Sequence, residues 1–370
     1  MKIASYNVEN LFDRAIALDD SNWAVGKPAL SAHRELNELF NKPSYTAANK
    51  ARMLALFDTH GMLKRDEGPL LLLRKIRGQL IKRPNSGDPS IVASGRDDWT
   101  GWVELKTEPV KSTAIENTAR VIHAVAPDVL GVVEAEDRTT LRLFNSQVMP
   151  QVGGTPFGHV MLIDGNDDRG IDVGIMTGDG YPIRSIRSHV HDTDDDGVIF
   201  SRDCAEYEIG LPSGDSLWIL VNHMKSKGYG SQASNDTKRL RQAQRVRELV
   251  DAHFAAGHTN LAVLGDFNDT PDRPTLAPLL GAASPLHDVS TLAGFDDGGR
   301  PGTHGNCTAS GRFDYILLSN ALFEAAGAAG YERRGMWGGT NGTLWPHFPE
   351  VGEEADRASD HAAVWVEIAV

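Results

Sequence analysis

The stretch LAVLGDFND, residues 261–269, decides the fold class. Leu261 to Leu264 is an unbroken apolar run, as expected of a strand covered on both faces, and it ends in Gly265, Asp266, Phe267, Asn268 and Asp269. Side chains alternate along a strand, so Asp266 and Asn268 share one side while Phe267 points away. A plain Gly-Asp turn accounts poorly for a carboxylate and an amide at the tip of so apolar a strand. Four further stretches repeat the pattern: SYNVEN at 5–10, DVLGVVEAED at 128–137, LVNHMKS at 220–226 and SDHAAVWV at 359–366. Carboxylates, amides and histidines at the ends of apolar strands are what a metal-assisted hydrolase needs, and core packing asks for none of them.

Working outward, short β-branched runs alternate with helical stretches, which is an α/β pattern. Strands are predicted at Lys2 to Tyr6, Val129 to Val133, Val173 to Met176, Ser216 to His223, Leu261 to Gly265, Tyr315 to Ser319 and Ala362 to Ile368. Helices are predicted at Ser112 to Ala126 and Asn235 to His253. The second carries Lys238, Arg239, Arg241, Arg245 and Arg247 among Leu240, Val246 and Leu249, and reads as a wet charged face rather than a phosphate groove. Asp13 to Lys111 differs in composition and reads as an insertion, at about 13–111, in a single domain spanning 1–370. It is expected to hold a helix at Ala47 to Asp58, a basic amphipathic helix at Leu70 to Arg83 and a loop at Pro84 to Asp88. A hairpin joining Ile91 to Ser94 with Thr100 to Leu105 should follow.

Composition sets the outer limits. A chain of 370 residues exceeds the usual single-core size, which suits a large two-layered α/β domain or one with an insertion. The net charge of -13 argues against indiscriminate nucleic-acid binding, which runs on displaced counterions, but leaves room for a nuclease with a local basic groove. Cys204 and Cys307 fit no zinc spacing and are expected to be buried free thiols. No apolar run approaches the ~20 residues of a membrane span. As given, the chain reads as cytoplasmic, although a removed export signal would leave no trace. No protein partner is indicated.

Each motif offers a chemical role beside a plainer one. Glu134 closes a buried run, where open α/β sheets place ligands and where Mg²⁺ or Mn²⁺ finds hard oxygen donors. Asn7 can bind a metal-ligated water or orient an acidic neighbour, but an isolated Asn after a strand is ordinarily a turn residue. His223 can protonate a leaving oxygen, with Asn222 and Lys225 beside it to contact substrate; a structural hydrogen-bonder is the plainer reading. Arg169 can clamp a phosphate with Asp172 holding it in place, or the two can form a surface ion pair. Asp360 can bind metal while His361 faces the phosphate, and Asp314, entering another strand, can fix that ring's tautomer. Among the remaining histidines only His304, in Gly302-Thr303-His304-Gly305-Asn306, is a further candidate.

Taken together and in this order, the motifs resemble the endonuclease/exonuclease/phosphatase superfamily, with its deoxyribonuclease I-like fold. SYNVEN resembles the family's opening strand, VVEAED its metal glutamate, VNHMKS its histidine motif, GDFND its GDFN signature, RFDYILLS its orienting aspartate and SDHAAV its closing SDH. The resemblance implies a four-layered α-β-β-α sandwich of two mostly antiparallel mixed sheets, with the site at one end of the strands. It implies Glu134 as main metal ligand with Asn7 and Asp360 supporting, and Asp266 orienting or deprotonating the attacking water. Asn268 would lie on the phosphate, His361, held by Asp314, against the scissile group, and His223 at the leaving group. The implied cofactor is Mg²⁺ or Mn²⁺, with Ca²⁺ as an alternative. The implied activity is a metal-dependent phosphodiesterase, foremost a nuclease on DNA or RNA, with a small-molecule or lipid phosphoester as the rival substrate. Two features depart from many relatives: Val133 stands where they carry Gln, and RGIDVG stands where they carry an NGG-like stretch. The latter resembles a bacterial nuclease-like branch. Trp99 and Trp102 are expected to be packed rather than to form a membrane-seeking hairpin.

Overall fold

A computed structural model describes residues 1–11, 17, 23–106, 111–167, 170–227 and 231–369. The chain divides into two compact units, residues 1–12 with 110–370, and residues 13–109.

The larger unit contains two sheets. The first runs in the order Phe295–Asp296, Ala326–Glu332, Ala363–Ile368, Lys2–Leu11, Val129–Ala135, Asp172–Thr177, His159–Ile163. The second runs Leu286–Asp288, Asp314–Ser319, Leu261–Asp266, Ser216–His223, Cys204–Gly210, Ile183–Arg187. Antiparallel neighbours predominate, but Lys2–Leu11 runs parallel to Val129–Ala135, and Ser216–His223 parallel to Leu261–Asp266. These two parallel pairs carry SYNVEN, the Glu134 segment, the His223 motif and GDFND, so their carboxyl ends deliver four motifs together. The antiparallel neighbours bring the amino-terminal ends of Asp314–Ser319 and Ala363–Ile368 to the same level, through the pairings of Asp266 with Asp314 and of Ser5 with Val364.

Alternation sorts each strand's side chains into layers. Ile3, Val129, Val133 and Val173 of the first sheet pack against Ile219, Val221, Leu264 and Ile316 of the second. On the outer faces, Val121, Ile122 and Val125 of the helix Ser112–Val125 cover Leu130 and Val132, while Val246 and Val250 of the helix Gln232–Ala255 cover Leu220 and Val263. The result is the four-layered α-β-β-α sandwich anticipated from the motifs. Gly131 makes room for the facing sheet: a Cβ there would stand 2.1 Å from Leu264 Cδ1. Cys204 and Cys307 are buried free thiols, as expected. Among the described residues, no helix is long and apolar enough to cross a membrane.

The smaller unit has its own core of Leu36, Phe40, Met53, Phe57, Leu71, Trp99 and Val103, contributed partly by the helices Trp23–Phe40 and Ala47–Thr59. The helix expected at Leu70 to Arg83 is instead two strands, Leu71–Arg77 and Ile81–Lys82. Leu71 and Leu73 enter the core two residues apart, a strand period, and Gly78 at φ +73 turns the chain before a helix could continue. The hairpin expected between Ile91 to Ser94 and Thr100 to Leu105 does not form either. Thr100–Leu105 pairs with Leu71–Arg77, and Ser90–Ile91 with Ile81–Lys82, so each finds an earlier partner. Trp99 is packed, edge-on to Phe40 at 4.8 Å, but Trp102 is 39% exposed, contrary to expectation.

Candidate active site

Asp266 lies where the motifs converge. It follows the inward parity of Ala262 and Leu264, and Gly265 before it has φ +131, with Asn222 O only 1.9 Å from where a Cβ would be. Only glycine permits the two parallel strands to close up just before the tip. Asp266 Oδ2 accepts a hydrogen bond from Asn7 Nδ2 at 3.2 Å and stands 3.7 Å from His223 Nε2 and 3.9 Å from His361 Nε2. His223 Nε2 is in turn 3.6 Å from Glu134 Oε1. Asn7, Glu134, His223, Asp266 and His361, drawn from both sheets, therefore form one cluster. Phe267 is fully buried on the outer side, and Asn268 turns back so that its N–H donates to Asp266 Oδ1 at 2.8 Å and its amide to Met224 O at 3.2 Å.

Strict alternation would send Glu134 outward with Val132. A bulge prevents this: Val133 pairs with Val173 and Ala135 with Asp172, leaving Glu134 as the extra residue with φ 66. Glu9 and Asn268 also hold positive φ, 27 and 53. A non-glycine residue kept in such a region costs about 1–3 kcal/mol, so strain is gathered where the polar groups converge.

His361 is fixed from behind. Its Nδ1 lies 2.8 Å from Asp314 Oδ2, and the Asp314 N–H donates to Thr303 Oγ1 at 3.1 Å. Ser359 Oγ accepts from the His361 N–H at 3.0 Å and donates to Asn7 O at 2.8 Å, tying the last motif to the first. Burial opposes charge on the imidazole, but Asp314, Asp360 and Asp266 outweigh it and raise the pKa well above the usual value. Burial, reinforced by Asp314, pushes Asp266 up to about 7. Burial also opposes charge on Asp360, yet His361, His304 and Arg357 hold that carboxyl below the usual range.

Two further residues belong to this neighbourhood, one not anticipated, Glu9, and one that the sequence offered as an additional candidate, His304. Glu9 Oε2 accepts from the Asp360 N–H at 2.8 Å, and its Oε1 from Arg357 at 2.7 Å; burial and the nearby Asp360 and Glu134 push it up to about 7 despite that arginine. Its signal was its parity with Asn7 on the first strand. His304 places Nε2 at 3.2 Å from Asp360 Oδ2. Glu9, Glu134, Asp266 and Asp360 crowd carboxylates into a half-buried space, and Asp314 Oδ1 is buried with no hydrogen-bond partner. Such an oxygen-rich, charge-heavy donor set fits a hard divalent cation.

The expected substrate contacts are placed differently. Asn222 lies on the face opposite His223, paired with Cys204 and donating to Leu220 O at 3.2 Å, because adjacent strand residues point to opposite sides. Asp172 is buried, accepting from the Gly165 N–H at 2.8 Å, and burial with Asp164 and Asp167 pushes it up to about 7. Lys225 is half-buried beside the cluster, its N–H donating to Gln242 Oε1 at 2.8 Å, and Arg169 lies outside the described residues. Of the arginine-rich helix, Arg241, Arg245 and Arg247 pair with Asp194, Asp192 and Asp251 on a wet face, as expected. Arg239 does not: it is fully buried, reaching Asp269 Oδ2 at 3.1 Å and Lys225 O at 2.7 Å, and so braces the 224–227 and 266–269 loops against each other. A separate cleft of about 960 Å³, lined by Arg138, Arg142, His159 and Ile186 among others, contains none of these residues.

A family model described as the Endonuclease/Exonuclease/phosphatase family matches residues 79–327. Among solved structures, a mannosyl-6-phosphatase of Bacteroides thetaiotaomicron aligns with TM-score 0.51 and 16% identity, over 70% of this chain and 91% of its own. An endonuclease/exonuclease/phosphatase family protein of the same organism aligns with TM-score 0.51 and 16% identity, over 68% and 85%. At that identity the likeness shows a shared fold. A comparison with curated proteins returns no match. With the family match extending over most of the sequence and the sandwich present, the chain belongs to the endonuclease/exonuclease/phosphatase family, a family of phosphoester hydrolases.

Proposed function

We propose that the protein is a divalent-metal-dependent phosphodiesterase, and specifically a nuclease on DNA or RNA that works by in-line attack of an activated water. The observation that carries this reading is Asp266 Oδ2 within 3.2 to 3.9 Å of Asn7, His223 and His361, with Glu134 3.6 Å from His223. Glu134, Asn7 and Asp360, with Glu9 beside them, would hold Mg²⁺ or Mn²⁺, Ca²⁺ being the alternative. When bound, that ion supplies positive charge to balance what develops on the equatorial phosphoryl oxygens.

The residues divide the remaining work. Asp266, with its pKa pushed up to about 7, orients the water and takes its proton near neutral pH. Asp314 accepts from Nδ1–H of His361, and its charge helps keep the ring doubly protonated, so that Nε2–H can be directed toward the phosphate. His223 protonates the leaving oxygen. Asn268, with one amide N–H used by Met224 O, offers the other to a phosphoryl oxygen. Lys225 and Arg169 are assigned to substrate, whereas Asn222 and Asp172 act as scaffold.

Phe313, with the Lys227 ammonium 4.9 Å over its ring and paired to Asp269 at 2.8 Å, offers an aromatic surface on which a nucleic-acid base could stack. The net charge of -13 favours the second reading, a small-molecule or lipid phosphoester. The two are separated by incubating the purified chain with plasmid DNA, RNA, bis(p-nitrophenyl) phosphate and a phosphomonoester, each with Mg²⁺, Mn²⁺ or chelator. Metal-dependent cleavage of DNA or RNA is expected. Cleavage of the small esters alone would select the second reading, and activity that survives chelation would overturn the mechanism.

A further inference from the structure

Two main-chain hydrogen bonds, Ala362 N–H to Thr303 O at 2.7 Å and Gly305 N–H to Asp360 O at 2.9 Å, set His304 directly opposite His361 in an antiparallel bridge. Residues opposed in this way project to one side, and the two imidazole centroids lie 4.8 Å apart. Both rings are held in place: His304 stacks on Phe313 at 5.3 Å, and His361 leans on Asp314. Nε2 of His304 is 3.2 Å from one Asp360 oxygen, and Nε2 of His361 is 3.6 Å from the other. One ligand atom from each of the three residues falls within 4.8 Å of the others.

This donor set differs in kind from the oxygen-rich one. Mg²⁺ takes oxygen ligands, whereas two imidazoles and one carboxylate suit zinc and similar borderline ions. Donors bound ~2.0–2.1 Å from a tetrahedral ion stand ~3.3–3.4 Å apart, so from separations of 3.2 and 3.6 Å to the two Asp360 oxygens, within a set spanning at most 4.8 Å, a small closing movement would complete the site. The carboxylate behind His361 is the partner that metal-bound histidines ordinarily have.

We propose that His304, Asp360 and His361 form a second metal position, selective for Zn²⁺-like ions, whose occupation inhibits hydrolysis. An ion there displaces the Nε2 proton of His361 to solvent and withdraws Asp360 from the oxygen-rich site. The inhibitory consequence rests on the hydrolase reading above; the binding itself does not.

Cobalt(II) is the probe for binding, because a four-coordinate Co²⁺ site absorbs strongly in the visible. Titrating the full chain should produce that absorption, and His304→Ala and His304→Gln should each weaken it by about tenfold or more, while Glu134→Gln retains it. The second His304 variant guards against a folding defect in the first. In parallel, Zn²⁺ is added to Mg²⁺-supported hydrolysis of bis(p-nitrophenyl) phosphate, each protein normalised to its own Mg²⁺ rate. Wild type should be inhibited, and both His304 variants should need about tenfold more Zn²⁺. A cobalt spectrum that is absent, or indifferent to His304, overturns the site. Cobalt bound as described but with equal Zn²⁺ sensitivity in all proteins overturns the inhibition. A normal spectrum in a protein that hydrolyses nothing sinks the hydrolase reading while upholding the site.

Discussion

The pair Asp314 and His361 shows how much a single contact can decide. At 2.8 Å the carboxylate fixes which ring nitrogen keeps its proton, and an amide in its place could offer its N–H and leave the ring in the wrong tautomer. Asp314→Asn should therefore lower kcat by about 10–100-fold with little change in KM, measured on a small diester. Glu134→Gln should abolish turnover while the melting temperature holds, and His361→Ala should abolish it in a protein that still folds but melts lower, because Asp314 loses its buried partner. Unchanged rates in either would show that the roles are misassigned. Glu134 allows a sharper test, since it sits at φ 66 on a bulge. Glu134→Gly should remove both strain and carboxylate crowding, raising stability by about 1 kcal/mol in urea melts while eliminating activity. A destabilised Glu134→Gly would mean that the bulge carries no strain.

Among the elements, the parallel strands under Asp266 depend on what lies behind them. Arg239 and Asp269 are fully buried together, so Arg239→Leu would remove a buried partner of that carboxylate, which keeps Lys227 at 2.8 Å and Thr275 at 2.6 Å, at a cost of about 1.5–3 kcal/mol. Because Arg239 also holds Lys225 O, the same change should slow turnover at temperatures where the protein remains folded. Gly131→Ala should cost about 1–3 kcal/mol by pressing on Leu264 Cδ1, and Leu264→Val should recover part of it in the double variant. Strictly additive losses would place the strain elsewhere. The strands of the larger unit are legible in the sequence because apolar runs such as Leu261 to Leu264 are long, buried and abruptly terminated. Parity then places Asp266 and His223 inward, and it also places Glu9 with Asn7. His304 is harder to see, since its alignment comes from an isolated bridge to His361 and not from a strand of its own. Arg239 resembles its exposed neighbours on the helix, because what buries it arrives from the distant loop of Asp269. In the 13–109 unit, Leu70 to Arg83 misleads because its basic residues suit either period, and the deciding partner, Thr100–Leu105, lies beyond it in sequence.

At the scale of the whole molecule, stability should depend on pH through a network away from the candidate site. Burial opposes the charge on Glu206, but His189 and His253 outweigh it and depress the carboxyl to about 2; burial likewise opposes charge on His189, which Glu206 and Asp192 raise. The Glu206 contribution is present above the ordinary glutamate pKa near 4.5 and is lost as pH falls toward about 2. The His189 contribution is complete below about 6.5 and is lost as pH rises through its raised folded value. Thermal melts should therefore show wild type gaining on Glu206→Gln between pH 2 and 4.5 and losing part of that lead above about 6.5, as pH rises through the raised His189 value. Parallel curves would show that the network contributes nothing.

The amino-terminal ammonium donates to Ile368 O at 2.9 Å, and the strand that opens the chain lies beside the one that closes it, with Asn7 and His361 carried on that adjoining pair. Residues 2–11 deliver Asn7 and residues 359–361 deliver His361 to the same cluster, so loss of either segment would take away one of its members. Under the proposed hydrolase mechanism, truncation before residue 359 is therefore expected to leave an inactive product rather than a slower one.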